Sequence, residues 1–153
     1  ALLQAQKNPH TLVIAVERTR NKFEAFQKSK KNLENLISIN ADIIPWLSFL
    51  DPKIQFHKIW ILYPNPEVKR KNRRWIRAPF FAELLKRLNA DWEIEMATNL
   101  SDYAVEAVDK AKSMWGLQSE LSEINETPRT QFEIKYRARG EPCFRILIRS
   151  SSL

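Results

Sequence analysis

A dense cationic segment is the part of this chain whose residues most clearly suggest a chemical role. Residues 68–77 read VKRKNRRWIR, with six Lys or Arg, one Trp and no acid. Guanidinium groups fork onto phosphate oxygens, and an aromatic ring among basic residues can stack on a nucleobase. The pattern predicts a surface that binds a phosphate-bearing partner, and the alternative is an ordinary solvated turn. The predicted phosphate-binding residues are Lys69, Arg70, Lys71, Arg73, Arg74 and Arg77.

The excess positive charge of the chain is local. The formal net charge is +7, and residues 53–90, with ten Lys or Arg and two Glu, carry +8 by themselves. The rest of the chain therefore sums to −1. A local excess of positive charge is more typical of a surface that binds a partner than of charge that only keeps a protein soluble.

Length and composition narrow the class of protein. With 153 residues and 44% apolar residues, the chain is expected to form one domain, 1–153, with a real core. No apolar run reaches membrane-spanning length. A single cysteine excludes an internal disulfide and a cysteine-based metal cluster, and His10 and His57 lack ligand-like spacing. We expect a cytoplasmic protein with no membrane or metal partner, either a monomer or a homodimer.

Short apolar runs alternate with amphipathic segments along the chain. The runs predict buried strands, and the segments between them predict helices. Gly116 is expected to end the last of these helices, with Asn99 or Ser101 as its N-cap. Residues 150–153 form a Ser/Leu tail that we expect to fray. The predicted strands are 11–16, 36–39, 57–62 and 92–97, and the predicted helices are 1–8, 18–33, 43–50, 79–88 and 100–115.

Two further strands are predicted near the C-terminus. Thr130–Tyr136 and Cys143–Arg149 are joined through Arg139-Gly140-Glu141-Pro142, which suggests a hairpin. The whole order predicts an α/β fold with a mostly parallel sheet and a C-terminal antiparallel hairpin. In such sheets, ligands bind at the carboxyl ends of the strands.

Five features in series resemble the tRNA (guanine-N7)-methyltransferase family, whose fold is Rossmann-like class I and whose cofactor is S-adenosylmethionine. The resemblance covers nearly the whole chain. In three places the chain departs from the family pattern, with Asn65 and Asn99 standing for aspartates and Glu67 for a tryptophan. The basic loop is also about two residues shorter. The matching features are Glu17, Ala41-Asp42, Pro64–Lys69 with Arg73-Arg74, Thr98-Asn99 followed by Tyr103, and Thr130–Glu133.

The resemblance implies a role for each matching position. Glu17 would accept hydrogen bonds from the cofactor ribose, and Ala41 and Asp42 would bind its adenine. Asn65 would lie where cofactor and base meet, as the catalytic position. The basic segment would bind tRNA phosphates. The remaining substrate-binding positions would be Asn99, Thr130, Gln131, Phe132 and Glu133, with Glu133 accepting from guanine.

Structural alternatives remain open for several of these residues. Glu17 could pair with Arg18 or Arg20, and Asp42 could be the N-cap of the helix that follows it. Asn65 could be a turn residue between two prolines. Thr130 and Glu133 could be exposed positions on a half-buried strand.

Glycine is scarce, with only Gly116 and Gly140 in the chain. The family's first strand and its glycine-rich turn are therefore expected upstream of Ala1, central in the sheet between strands 11–16 and 57–62. Direct pairing of those two strands would favour a non-catalytic relative. The predicted function is S-adenosylmethionine-dependent methyl transfer to guanine N7 in tRNA. The alternative is a catalytically inactive, methyltransferase-like RNA-binding or scaffolding protein.

Overall fold

A computed structural model describes residues 1–30 and 32–150 of the chain. It separates into two compact units, Ala1–Asp51 and Pro52–Leu153. The single domain expected over 1–153 stays a prediction. Most of the Ser/Leu tail, from residue 151 onward, lies outside the described residues.

The first unit is a small α/β arrangement built on two parallel strands. The strands pair in register from Val13 against Leu36 to Glu17 against Asn40. A small apolar cluster centred on Ala5, Val13 and Leu36 packs this unit together. Its elements are α1 (Leu2–Lys7), β1 (Val13–Glu17), α2 (Arg20–Ser29), β2 (Leu36–Asn40) and α3 (Ile43–Phe49).

The second unit is a four-stranded mixed sheet with helices. The strand order is β3-β4-β6-β5; β3 and β4 run parallel, and β6 is antiparallel to both of its neighbours. Two short 3-10 turns, Lys71–Arg73 and Trp75–Arg77, lie between β3 and α4. The elements are β3 (Phe56–Leu62), α4 (Pro79–Leu85), β4 (Leu88–Thr98), α5 (Ser101–Trp115), β5 (Gln118–Glu123), α6 (Gln131–Ala138) and β6 (Phe144–Arg149).

The main core lies in the second unit. Buried isoleucines of β3, β4 and β6 belong to the same apolar cluster as residues of α4 and α5. On α5 the buried residues are Tyr103, Ala104, Ala107 and Ala111, and the spacing of the three alanines places small side chains on one stripe of the helix. Gly116 ends α5 with φ +64°, as the sequence predicts, because glycine adopts the left-handed conformation without a steric penalty.

The predicted C-terminal hairpin is wrong in its first strand. Residues 131–138 form α6, because the Thr130 hydroxyl accepts a hydrogen bond from the Glu133 amide at 3.1 Å and caps the helix. The antiparallel partner of β6 is instead β5. Its sequence, QSELSE, is mostly polar and largely exposed, so its hydrophobic pattern gives little sign of a strand.

Smaller corrections concern the ends of elements. Leu88 begins β4 rather than ending α4. Neither Asn99 nor Ser101 caps α5; Leu100 occupies the N-cap position, and its amide donates to the Thr98 hydroxyl at 3.2 Å.

Strands pair within each unit. Within residues 1–30 and 32–150, β1 pairs with β2, and β3 pairs with β4. The expectation about direct pairing of strands 11–16 and 57–62 stays a prediction. No helix in this part of the chain is both long and apolar enough to cross a membrane.

Candidate functional site

Two carboxylates mark the carboxyl ends of the parallel strands in the first unit. Glu17 is the last residue of β1, opposite Asn40 on β2. Its Oε1 accepts from the Thr19 amide at 2.6 Å, and Asn40 Nδ2 donates to its carbonyl at 2.7 Å. The predicted alternative pairing of Glu17 with Arg18 or Arg20 does not occur, since Arg20 bonds Glu24 instead. Glu17 is thus held in a fixed turn and remains partly exposed.

Asp42 is the N-cap of α3, as the structural alternative for this residue predicts. Its Oδ1 accepts from the Ile44 amide at 3.0 Å. The second carboxylate oxygen lies 3.9 Å from Arg18, in an exposed ion pair of the kind that contributes little to stability. The Ala41 amide donates to the Glu17 carbonyl at 3.2 Å. Glu17 and Asp42 therefore place two carboxylates near the ends of these strands, with the Ala41 backbone beside them.

In the second unit, the proline-containing turn that follows β3 has a strained backbone. Tyr63 and Glu67 have φ of +51° and +46°, and neither is glycine. Between them, Asn65 is exposed, and its Oδ1 accepts from the Glu67 amide at 3.3 Å. The turn role considered for Asn65 is therefore found in the structure. Non-glycine residues in the left-handed region persist only when their surroundings hold them, and they cluster at functional sites.

An open pocket of about 310 Å³ adjoins this turn. Three of its lining residues are exposed cations that form no ion pair within the described part of the chain: Lys69, Arg70 and Arg73. Unpaired cations around a concave surface favour an anionic ligand. The pocket is lined by Asn65, Glu67, Val68, Lys69, Arg70 and Arg73.

The remaining predicted phosphate-binding residues face inward or are already paired. Arg74 is 1% exposed and bonds Asp102 at 2.9 Å as well as Glu106, so a phosphate cannot reach its guanidinium. Arg77 also bonds Glu106. Lys71 lies 3.5 Å from Asp102, with both side chains more than half exposed. The prediction that all six cations contact phosphate is therefore corrected for Arg74, and Lys71 and Arg77 already have acidic partners.

The acids that hold Arg74 have altered titration. The hydrogen bond from Arg74 lowers the pKa of Asp102 despite the opposing effect of burial. Burial alone would raise the pKa of Glu106, but hydrogen bonds from Arg74 and Arg77 outweigh it and lower that pKa. Both carboxylates are therefore charged at neutral pH, which the buried guanidinium requires.

An aromatic cluster brings α6 to the carboxyl end of β3. The Phe132 ring stacks on Tyr63 with centroids 5.4 Å apart, and Tyr136 lies 5.6 Å from Tyr63. Burial raises the pKa of the Tyr63 phenol, and the Cys143 thiol and Glu133 carboxylate raise it further, so the phenol stays neutral. The Thr130–Glu133 segment thus lies beside the strained turn. Asn65 is two residues beyond Tyr63.

Glu133 is buried and helical, so the structural alternative of an exposed strand position is wrong for this residue. It is 0% exposed and accepts from the Arg129 backbone amide at 2.6 Å and from the Arg129 guanidinium at 2.9 Å. Burial opposes ionisation, but these hydrogen bonds outweigh it and lower the pKa of Glu133. The carboxylate is already occupied, so its predicted contact with guanine is not available in this conformation. The Thr130 hydroxyl is likewise used as the cap of α6.

Sequence reasoning missed Arg129 and its second partner, Glu95. Arg129 bonds Glu95 as well as Glu133. Glu95 is 5% exposed on β4, between the buried apolar residues Ile94 and Met96. A charged residue inside a buried strand pattern needs a partner, and that signal could have pointed to this pair.

The two remaining predicted substrate positions are Asn99, which is half-buried, and Gln131, which is exposed. Asn99, just after β4, uses its Nδ2 to donate to Glu141 at 2.9 Å. Gln131 is exposed at the start of α6. No cluster of three or more His, Cys, Asp or Glu that could hold a metal ion occurs within residues 1–30 and 32–150.

Residues 1–146 match a protein family described as "Putative methyltransferase". The chain belongs to this methyltransferase family. A tRNA (guanine-N(7)-)-methyltransferase of Neisseria meningitidis serogroup C is 30% identical over 115 residues, which are 74% of this chain and 48% of that protein. One from Hydrogenovibrio crunogenus is 28% identical over 142 residues, covering 89% and 59%. The family resemblance predicted from the sequence is confirmed.

Solved structures support the same fold class. The precorrin-6y C5,15-methyltransferase of Geobacter metallireducens aligns with a TM-score of 0.65 at 15% identity, covering 94% of this chain and 69% of that one. The predicted Rossmann-like class I methyltransferase fold is therefore confirmed. The chain spans about half the length of the curated Neisseria meningitidis relative it matches.

Proposed function

We propose that the protein containing this chain transfers a methyl group from S-adenosylmethionine to N7 of guanine in tRNA. The observation that carries the proposal is the pocket in which Asn65 meets three unpaired cations at the end of β3. Membership of a methyltransferase family supports methyl transfer. The names of the relatives support the guanine N7 position and the tRNA substrate. A tRNA substrate also favours a cytoplasmic location.

The proposed cofactor contacts lie in the first unit. When bound, S-adenosylmethionine supplies an electrophilic methyl group on a sulfonium. Glu17 would accept hydrogen bonds from ribose hydroxyls, as acids at strand ends do in dinucleotide folds. Asp42 would accept from the adenine amino group, with the Ala41 backbone beside it. Both carboxylates retain some exposure, which suits acceptors for a ligand rather than a sealed ion pair.

The proposed reaction asks the protein chiefly to position its substrates. Guanine N7 carries a lone pair, so its attack on the methyl group needs no prior deprotonation. Holding the two reactants in line is then the main contribution to the rate. Asn65 suits this task because its Oδ1 is engaged by the Glu67 amide, which leaves its Nδ2 as a donor. Guanine presents O6 as an acceptor next to N7, and a bond from Nδ2 to O6 would fix the base.

The methylation proposal is tested with the protein encoded by the complete gene. It is incubated with S-adenosylmethionine carrying a labelled methyl group and an unmodified tRNA transcript, and the nucleosides are separated. We expect the label in 7-methylguanosine, and a large loss of it in Asn65→Ala but not in the exposed control Gln118→Ala. Label on another atom, or RNA binding without methylation, would contradict the proposal.

The RNA-binding part has a separate test in the 153-residue chain. Neutralising three phosphates by Lys69, Arg70 and Arg73 would contribute about 2 to 3 to the log–log salt slope. The triple alanine variant is expected to flatten the slope by that amount. The control replaces three cations outside the segment, Lys22, Lys28 and Lys112, and therefore matches the change in net charge. An equal flattening in both variants would show that binding does not use this pocket.

A further inference from the structure

Two adjacent arginines of the basic segment have opposite environments. Arg73 is exposed at the pocket, whereas Arg74 is 1% exposed and fully enclosed. The Arg74 guanidinium lies 4.5 Å from the centre of the Tyr103 ring, and its Nη atoms bond Asp102 and Glu106 on α5. Its Nε donates to the Pro66 carbonyl at 3.0 Å. One side chain therefore connects α5 to the strained turn.

Other contacts fix the same stretch of chain to α5. The Trp75 amide donates to the Tyr103 hydroxyl at 3.3 Å, and Trp115 Nε1 donates to the Ile76 carbonyl at 2.8 Å. Ile76 is fully buried. These contacts fasten residues 75–76 to α5, and the hydrogen bond from Arg74 to Pro66 extends the attachment back to the turn that carries Asn65.

We propose that Arg74 is a positioning residue, which holds the Pro64–Glu67 turn in its strained form through the Pro66 carbonyl, while Arg73 belongs to the RNA-binding surface. The turn needs such a support because Glu67 has a left-handed backbone that an unsupported glutamate rarely adopts. The role assigned to Arg74 in catalysis rests on the proposed function. Its role in ordering the turn does not.

The first test measures amide hydrogen exchange in the 153-residue chain. The Glu67 amide bonds Asn65 Oδ1, and the Arg70 amide bonds the Glu67 carbonyl at 2.9 Å, so these two amides report the turn. In Arg74→Ala we expect them to exchange about tenfold faster, while α5 keeps its protection, because the opening is local. Arg77→Ala is the matched control, since it also removes a partner of Glu106 but leaves Pro66 held.

A second variant guards against loss of folding. If Arg74→Ala also increases exchange in α5, the contact between Arg74 and α5 is weakened instead by Asp102→Asn. Asp102 is one of the two acids that hold Arg74, and it is on the exposed face of the helix. Faster exchange at Glu67 and Arg70 in that variant supports the proposal. Unchanged exchange at both amides in a folded Arg74 or Asp102 variant overturns it.

A second measurement separates positioning from phosphate contact. Arg73→Ala is expected to reduce the salt slope of RNA binding by about 1, and Arg74→Ala is expected to leave it unchanged. In the complete protein, Arg74→Ala should lower kcat with little effect on KM for tRNA, and Arg74→Lys should not rescue it because lysine cannot bond both acids and Pro66 together. An equal loss of salt slope in both alanine variants would overturn the proposal. If no methylation occurs with the unmodified protein, the proposed function fails while the exchange result stands.

Discussion

Arg74 and Arg129 lie in different parts of the second unit, and each is held by two carboxylates. Arg74 is buried, and Arg129 is largely enclosed. Arg74 is bound by Asp102 and Glu106, and Arg129 by Glu95 and Glu133. The partners differ in exposure. The Asp102 side chain is 54% exposed, whereas those of Glu95 and Glu133 are 7% and 0% exposed.

The difference indicates that the stability lost on removing either arginine depends on whether its carboxylate partners keep solvent or another cation. Without Arg74, Asp102 would still be solvated and Glu106 would keep Arg77. Without Arg129, Glu133 would lose its only cation among the described residues, inside a region that water does not reach. A buried carboxylate without a partner is strongly destabilising.

The largest expected effect is that of Arg129→Ala on stability. The loss of unfolding free energy should be about 3–5 kcal/mol, measured by urea denaturation of the 153-residue chain. Arg139→Ala is the control, because Arg139 is exposed and its ion pair with Glu141 is long, at 3.9 Å. This substitution should change stability by less than about 0.5 kcal/mol. Equal effects of the two substitutions would remove the contrast on which the comparison depends.

Acid should weaken the interaction of Arg129 with Glu133. The resulting loss of stability should be smaller than that caused by Arg129→Ala. The folded-state pKa of Glu133 lies below its ordinary 4.5, so the native state favours the ionised form. The contribution of Glu133 to stability is therefore present above pH 4.5 and is lost as the pH falls through the lower, folded-state pKa. Denaturation midpoints across this acidic range should fall less steeply in Glu133→Gln. An unchanged pH profile would contradict this assignment.

A smaller loss is expected for Arg74→Ala. Because Asp102 is solvated and Glu106 keeps Arg77, the expected loss is about 1–3 kcal/mol, below that of Arg129→Ala in the same urea experiment. A larger loss than for Arg129→Ala would mean that exposure of the remaining carboxylates does not decide the outcome.

The smallest expected effect concerns the cap of α6. Thr130→Ala removes the acceptor for the Glu133 amide and should lower stability by about 1 kcal/mol, whereas Thr130→Ser keeps the hydroxyl and should be nearly neutral. Thermal denaturation of both variants checks this. An equal loss in Thr130→Ser would show that the methyl group of Thr130, rather than its hydroxyl, matters.

Much of the fold could be predicted from local pattern. The apolar runs that form β1 to β4 and the glycine that ends α5 are local signals, and the structure places these elements within a few residues of the predictions. The Thr130–Tyr136 segment misled because Phe132, Ile134 and Tyr136 alternate as in a strand. Phe132 and Tyr136 are also four apart, as on one face of a helix, and both contact Tyr63.

The environments of the candidate site residues could not be predicted from residue type where they depend on long-range contacts. Residue type cannot separate Arg73 from Arg74, because the difference arises from two acids one helical turn apart on α5. Their meeting with Arg74 is a long-range contact that no local window contains. Similarly, the guanine contact expected of Glu133 could not be corrected without knowing that Arg129 already occupies its carboxylate.

The left-handed backbone of Glu67 bears on how this sequence would change under selection. Both glycines of the chain adopt positive φ, yet Glu67 does so with a full side chain, at an expense of about 1–2 kcal/mol relative to a glycine. A laboratory selection for heat resistance alone is therefore expected to enrich Gly or Asn at position 67. A selection that also requires catalysis is expected not to enrich Gly, because the added backbone freedom would make the position of Asn65 less fixed. Sequencing the two populations would show at this one codon whether the turn has been kept for stability or for rate.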